Sequence, residues 1–140
     1  MTNKSGIDAQ TLARLFKAAS TAMHNAHAPY SKFTVGAALL TEDGQIITGC
    51  NVENASYGAA VCAERTAIGA AVSQGHKKFS AILVTTNAQD SIIAAPCGIC
   101  RQTLVEFNRD MTVICRSQNG EEKTYSAGEL LPHAFTADDL

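Results

Sequence analysis

Cys62-Ala63-Glu64-Arg65-Thr66-Ala67-Ile68-Gly69-Ala70-Ala71-Val72-Ser73-Gln74-Gly75 is the stretch around which the rest of the chain can be ordered. Ala is the strongest helix former, so Cys62 to Gln74 reads as a helix, with Gly75 as the C′ residue that stops it. Upstream, Val35 to Leu40 and Gln45 to Val52 are apolar runs flanking Glu42-Asp43-Gly44, a turn signal, which predicts a β-hairpin. Downstream, Phe79 to Thr86 carries Ile82, Leu83 and Val84 and reads as a buried strand. Cys97 to Phe107 returns to helical spacing through Leu104, Val105 and Phe107. Thr112 to Arg116 and Lys123 to Ser126 then flank Asn119-Gly120, the turn pair of a second hairpin.

Asp8 to about Asn25 carries Leu12, Leu15, Phe16, Ala19 and Met23 on one helical face. Ala28-Pro29-Tyr30-Ser31 breaks it. Asn51 to Ala60 and Asn87 to Pro96 read as loops. Ser126 and Glu129 have capping-box spacing for one last helical turn, ended by Pro132. The order helix, hairpin, helix, strand, helix, hairpin predicts an α/β fold. Its two hairpins and single strand make a mixed five-stranded sheet with helices on both faces, a three-layer α-β-α sandwich. No linker or repeat divides the chain, so residues 1–140 are expected to form a single domain.

Composition narrows the function. Of 140 residues, 46% are hydrophobic and 17% charged, and the formal net charge is -2, which describes a globular protein rather than a disordered one. The longest basic run is Lys77-Lys78, so no basic surface announces a nucleic-acid polymer as partner. No apolar run reaches bilayer length, and Met1 to Asp8 is short and polar, so neither a membrane span nor a signal peptide is expected. Five cysteines without secretory context point to reduced thiols and a cytoplasmic compartment.

Three of those cysteines carry the chemistry. Cys62, together with Cys97 and Cys100 of Pro96-Cys97-Gly98-Ile99-Cys100, offers Zn²⁺ three thiolates. With no His near either cluster, the fourth coordination position is left for water. Glu64 stands two residues from a ligand, placed to carry protons for that water. All three cysteines are expected in the first turns of two helices, where free N–H groups and the dipole favour thiolate. Three thiolates on one Zn²⁺ leave a formal charge of about -1. Arg65 is the candidate to offset it by hydrogen-bonding the ligand sulfurs, with a solvated helix residue as the alternative. Arg101 is a weaker candidate, and a structural reading is favoured for it. Cys50 and Cys115 fall in strand patterns and read as buried apolar residues. His24 and His27 read as surface residues, and His76 and His133 belong to no constellation.

Cys-x-Glu followed by Pro-Cys-x-x-Cys is the three-cysteine form of the zinc deaminase signature. With Phe33-Thr34-Val35-Gly36-Ala37-Ala38-Leu39, Asn51-Val52-Glu53-Asn54-Ala55, Cys62-Ala63-Glu64-Arg65-Thr66-Ala67 and Pro96-Cys97-Gly98-Ile99-Cys100-Arg101-Gln102, the chain resembles the small, homotetrameric cytidine deaminases. The resemblance runs from the first helix to Leu130-Leu131-Pro132. It implies hydrolytic deamination of cytidine and deoxycytidine to uridine and deoxyuridine with release of ammonia, in pyrimidine salvage.

It also implies one Zn²⁺ per subunit on Cys62, Cys97 and Cys100, with Glu64 as the catalytic proton shuttle. Asn51 and Glu53 resemble the pair that holds the ribose 3′-hydroxyl, and Phe33 the residue beside the pyrimidine ring. Backbone groups at Ala63 and Glu64 would read the base edge. Phe135 resembles an aromatic that enters a neighbouring subunit's pocket in a homotetramer with shared active sites, and Tyr30 and Tyr57 resemble pocket or interface residues. Small residues from Gly58 to Ala71 permit close packing, within the chain or between subunits. The alternatives are a blasticidin-type aminonucleoside deaminase, for which Asn51-Val52-Glu53-Asn54 would have no ribose to grip, and a non-catalytic protein with a structural zinc.

Overall fold

Asp8 opens the first helix: its carboxylate accepts the Thr11 N–H at 2.8 Å, and helix α1 follows as Ala9–Met23. The computed structural model describes residues 5–89 and 93–140. After α1 come β1 (Val35–Thr41), β2 (Ile46–Cys50), α2 (Ala63–Ser73), β3 (Phe79–Thr86), α3 (Gly98–Phe107), β4 (Thr112–Arg116), β5 (Glu122–Ser126) and α4 (Ala127–Leu130). Short 3-10 turns at Tyr57–Ala59 and Ala137–Asp139 fall where the sequence shows no helical period.

The five strands form one sheet in the order β2-β1-β3-β4-β5. β1 pairs antiparallel with β2 and with β3, β3 pairs parallel with β4, and β4 pairs antiparallel with β5. The sheet is therefore mixed, and both expected hairpins form. The parallel pair requires a crossover, and α3 supplies it. β3 lies in the middle, and six of its residues in a row, Ala81 to Thr86, are buried, as both faces of a central strand demand.

The helices divide between the faces. Leu15 and Ala19 of α1 pack with Ala38, Leu83 and Ile114 on one side. Ala63, Ala67, Ile68 and Ala71 of α2 and Leu104 and Val105 of α3 pack with Ala37, Leu39, Ile82 and Val113 on the other. This alternation along β1 and β3 is the period-two pattern of a sheet covered on both faces. The three-layer arrangement is as expected.

Two glycines set how closely the helices approach. A Cβ on Gly36 would lie 1.9 Å from the Ala19 carbonyl oxygen of α1, and one on Gly49 would lie 2.4 Å from the Ala67 nitrogen of α2. Each helix backbone therefore rests on strand backbone with no side chain between. The end of α2 is a Schellman turn. Gly75 has φ 95 and donates to Val72, while His76 donates to Ala71. The capping box of α4 forms as read, with the Ser126 hydroxyl accepting from the Glu129 N–H and the Glu129 carboxylate from the Ser126 N–H.

Several boundaries move. Cys62 and Cys97 stand at the N-caps of α2 and α3 rather than inside them. The second strand ends at Cys50, and Val52 instead bridges to His27 and Val61 in isolation. Part of the Asn87–Pro96 loop reading, residues 90–92, lies outside the described residues, as do residues 1–4 of the Met1–Asp8 segment.

Candidate metal centre and substrate cleft

The N-termini of α2 and α3 converge on the same face of the sheet. An N-cap Ser or Asp would spend its side chain on the first turn; Cys62 and Cys97 make no such capping bond. Both sulfurs are left to face one another, 3.7 Å apart, and the Cys100 sulfur joins them one turn into α3, all within 4.8 Å. This is the only metal-capable cluster of His, Cys, Asp and Glu among the described residues.

The spacing fits zinc. Tetrahedral bonds of about 2.3 Å place neighbouring sulfurs about 3.8 Å apart, whereas a disulfide needs about 2.0 Å. All five cysteines are free thiols. Soft thiolates without His select zinc over the hard cations. The metal that fits these residues is zinc, and Cys62, Cys97 and Cys100 are the residues that would hold it.

Arg65, one turn along α2, reaches back with Nη2 to 3.7 Å from the Cys62 sulfur. The Cys62 thiol is depressed to about 5, first by the hydrogen bond from Cys100 and then by Arg65. Cys100 moves the other way, because it gives its proton to Cys62 and is buried. The Arg65 Nε is buried without a hydrogen-bond partner among the described residues. Arg101 serves elsewhere: it donates to the Pro96 carbonyl at 2.7 Å and the Leu130 carbonyl at 3.0 Å, tying the ligand loop to α4.

Glu64, in the first turn of α2, is 4% exposed. Burial raises its carboxyl above the ordinary range, and the Cys62 charge adds to that. A carboxyl so placed holds a proton more readily than a surface glutamate. Ala63 beside it occupies the first helical position, where backbone N–H groups have no intrahelical acceptor.

These groups form one wall of a cleft of about 510 Å³, within the range of small-molecule sites. Val84 and Thr86 at the carboxyl end of β3 also line it, as do Phe33, Val35, Asn51 and Glu53. Ligands of open α/β sheets bind at that end of the strands. Phe33 is 41% exposed, so it is a cleft residue and not core packing. Tyr57 and Ile99 stand at the mouth, 86% and 64% exposed.

Asn51 and Glu53 both line the cleft, and both side chains are already engaged. Asn51 donates to the Phe33 carbonyl and accepts from the Val35 N–H. Glu53 Oε1 accepts the N–H groups of Tyr30 and Ser31, and Oε2 accepts the Ser31 hydroxyl. That last bond is the main reason the Glu53 carboxyl lies below its ordinary value. Ser31 was not singled out from sequence; its only signal was its place after Pro29-Tyr30.

Phe135 is not in this cleft. It is 61% exposed beside α3, its carbonyl accepting from the Gln102 side chain at 2.8 Å. Tyr30, 59% exposed, is outside it too. Cys115 is buried as expected, its thiol pushed up to about 12 by burial, while Cys50 is only half-buried at the end of β2. His24 and His27 are exposed. Among the described residues no helix is long and apolar enough to cross a membrane.

Known proteins are similar to this chain in sequence and fold. The family model described as the cytidine and deoxycytidylate deaminase zinc-binding region matches residues 9–117. A probable cytidine deaminase of Dictyostelium discoideum is 47% identical over 131 residues, covering 94% of this chain and 88% of that protein. A cytidine deaminase of Sporosarcina psychrophila is 44% identical over 128 residues, 91% and 93% of the two chains. The crystal structure of the Burkholderia pseudomallei cytidine deaminase superposes with a TM-score of 0.83 at 46% identity, covering 88% of this chain and 98% of that one. Cradle, cleft and relatives agree, and the chain belongs to the cytidine and deoxycytidylate deaminase zinc-binding family.

Proposed function

We propose that this protein hydrolyses cytidine and deoxycytidine to uridine and deoxyuridine, releasing ammonia. The observation that carries the reading is a buried carboxyl, Glu64, beside a three-sulfur cradle in the wall of a nucleoside-sized cleft. Bound at Cys62, Cys97 and Cys100, zinc would supply the Lewis acidity that makes water a nucleophile at neutral pH. Glu64 accepts a proton from that water and delivers it to N3 of the ring, which makes C4 electrophilic. The deprotonated water adds its oxygen to C4, and Glu64 then takes the remaining proton of that hydroxyl to the amino nitrogen, so that the C4–N bond breaks, the C4 carbonyl forms and ammonia leaves. Burial suits this double duty, because it brings the carboxyl nearer the working pH.

The remaining roles follow from placement. Phe33 lies against the pyrimidine, and backbone groups at Ala63 and Glu64 read its polar edge. A carboxylate offers about four lone-pair sites; Glu53 uses three, so a ribose hydroxyl can take the fourth while Asn51 donates its second N–H. This sugar grip favours nucleosides over a blasticidin-type substrate. A purely structural zinc leaves the buried Glu64 without a purpose. Arg65, which also lines the cleft, offsets the sulfur charge through its contact with Cys62.

Residues 1–140 act as one domain within a homotetramer, in line with Phe135 lying exposed outside its own cleft. The ligand set needs reduced thiols, which suits the cytoplasm and a role in pyrimidine salvage. The decisive assay is the ultraviolet absorbance of cytidine with zinc-loaded protein. A catalytic fall in the cytidine band with uridine as product is expected. No turnover by folded, zinc-replete protein would overturn the reading.

A further inference from the structure

Beyond the residues already assigned, we propose that Asn87 is a positioning residue that, together with Asn51, holds the Phe33 wall of the cleft in place. The backbone pairing of β1 ends at Gly36 toward β2 and at Val35 toward β3. The chain just before it, residues 32–34, belongs to no strand and keeps one backbone bond to the sheet, from the Asn87 N–H to the Thr34 carbonyl at 3.1 Å; two side-chain amides extend the pairing beyond it. Asn51, the first residue after β2, accepts the Val35 N–H at 2.8 Å and donates to the Phe33 carbonyl at 2.9 Å. Asn87, the first residue after β3, works the opposite edge one residue out of phase. Its Oδ1 accepts the Thr34 N–H at 3.2 Å and its Nδ2 donates to the Lys32 carbonyl at 2.8 Å.

A carboxamide presents one acceptor and its donors much as a peptide group does, so each Asn extends the ladder by one step. Alternate residues of an extended chain point the same way, and here the pair is Phe33 and Val35, both lining the cleft. Lys32 supplies an independent sign that this segment is held under constraint. Its φ is 60, in the left-handed region that residues bearing a Cβ avoid. Such conformations persist where the surroundings over-determine them. Here the Lys32 N–H donates to Ala28 at 3.0 Å and its carbonyl is fixed by Asn87. The hydrogen bonds of Asn87 go to Thr34 and Lys32, and it is not among the residues lining the cleft, so it acts on substrate through Phe33.

The role rests on the nucleoside reading above, and its test uses two separate readouts in zinc-loaded protein. Amide hydrogen exchange at residues 32–35 is expected to accelerate in Asn87→Ala while β1 beyond Gly36 keeps its protection. For cytidine, KM is expected to rise about tenfold, the ratio that one or two neutral hydrogen bonds support, with kcat within about twofold. In a Phe33→Ala background the same substitution should change KM by less than about twofold, because the two residues act in series. Unchanged exchange at 32–35 would overturn the clamp. A KM effect that persists in full without Phe33, or a fall in kcat with KM unmoved, would overturn the positioning role. Wild-type protein that ignores cytidine would sink the deaminase reading alone, and the exchange measurement would still decide the clamp.

Discussion

The two walls of the cleft are built in opposite ways. The cysteine cradle hangs on the first turns of two helices, whose backbones are fixed by their own hydrogen bonds and pressed onto the sheet. The Phe33 wall runs through residues 32–34, which belong to no helix or strand, held by side chains of Ser31, Asn51, Glu53 and Asn87. The comparison suggests a division of labour. Groups that do chemistry sit on rigid helix ends, where a small displacement would cost the most. Groups that receive the substrate sit on a segment tied by individually weak bonds.

Breaking the cradle should have the largest effect. Cys97→Ala removes one of three ligands, and metal affinity should fall by well over about 100-fold, beyond what losing a supporting hydrogen bond costs. Metal analysis of the purified variant should show almost no zinc and assays no turnover; a zinc-replete variant would remove Cys97 from the ligand set. Glu64→Ala should come next. It keeps its zinc and its fold but loses about 10⁴-fold in kcat, the upper range of general acid–base catalysis. Near-normal turnover would remove Glu64 from the mechanism.

A pair of glycine substitutions sharpens the contrast between helix faces. Gly36→Ala and Gly49→Ala each drive a Cβ into helix backbone, at 1.9 Å and 2.4 Å. Each should cost about 1–3 kcal/mol in thermal unfolding. Only Gly49→Ala displaces α2, so it alone should also lower kcat. Equal kcat in the two variants would show that the placement of α2 is less critical than the geometry suggests.

The smallest effect belongs to the receiving wall. Hydrogen bonds from Ser31 and Tyr30 hold the Glu53 carboxyl below its ordinary value of 4.5. Its folded-state pKa is depressed, so its contribution to stability is present above the unfolded value and is lost as pH falls through the folded one. Carboxyl NMR titration should place wild-type Glu53 below 4.5, and Ser31→Ala should move it back up. An unmoved titration would mean that the Ser31 hydroxyl does not secure this wall.

The cradle was legible because its signals are short-range. Cys-x-Glu and Cys-x-x-Cys fix which side chains share a helix start, and a single Gly75 announces where α2 stops. Both hairpins were legible for the same reason, through Asp43-Gly44 and Asn119-Gly120. Phe135 was read as an aromatic without core of its own, and it is exposed. The Phe33 wall was legible only in part. Asn51 and Glu53 stood out through the resemblance, but nothing in the sequence near residue 87 revealed that its amide grips residues 32 and 34. Cys62 and Cys97 at capping positions, with uncommitted sulfurs, also emerged only from backbone geometry.

From its sequence alone this protein determined its helices, its hairpins, its donor set and the kind of chemistry that set performs. Propensity, capping, turn residues and ligand spacing all act within a few residues of one another. The tertiary structure decided the rest: β3 lies between β1 and β4, so that β2 and β3 end on either side of residues 32–35. The Asn51, Glu53 and Asn87 bonds of the receiving wall join residues 16 to 55 positions apart. No local pattern records such a pairing; it exists only once the sheet has assembled in its particular order.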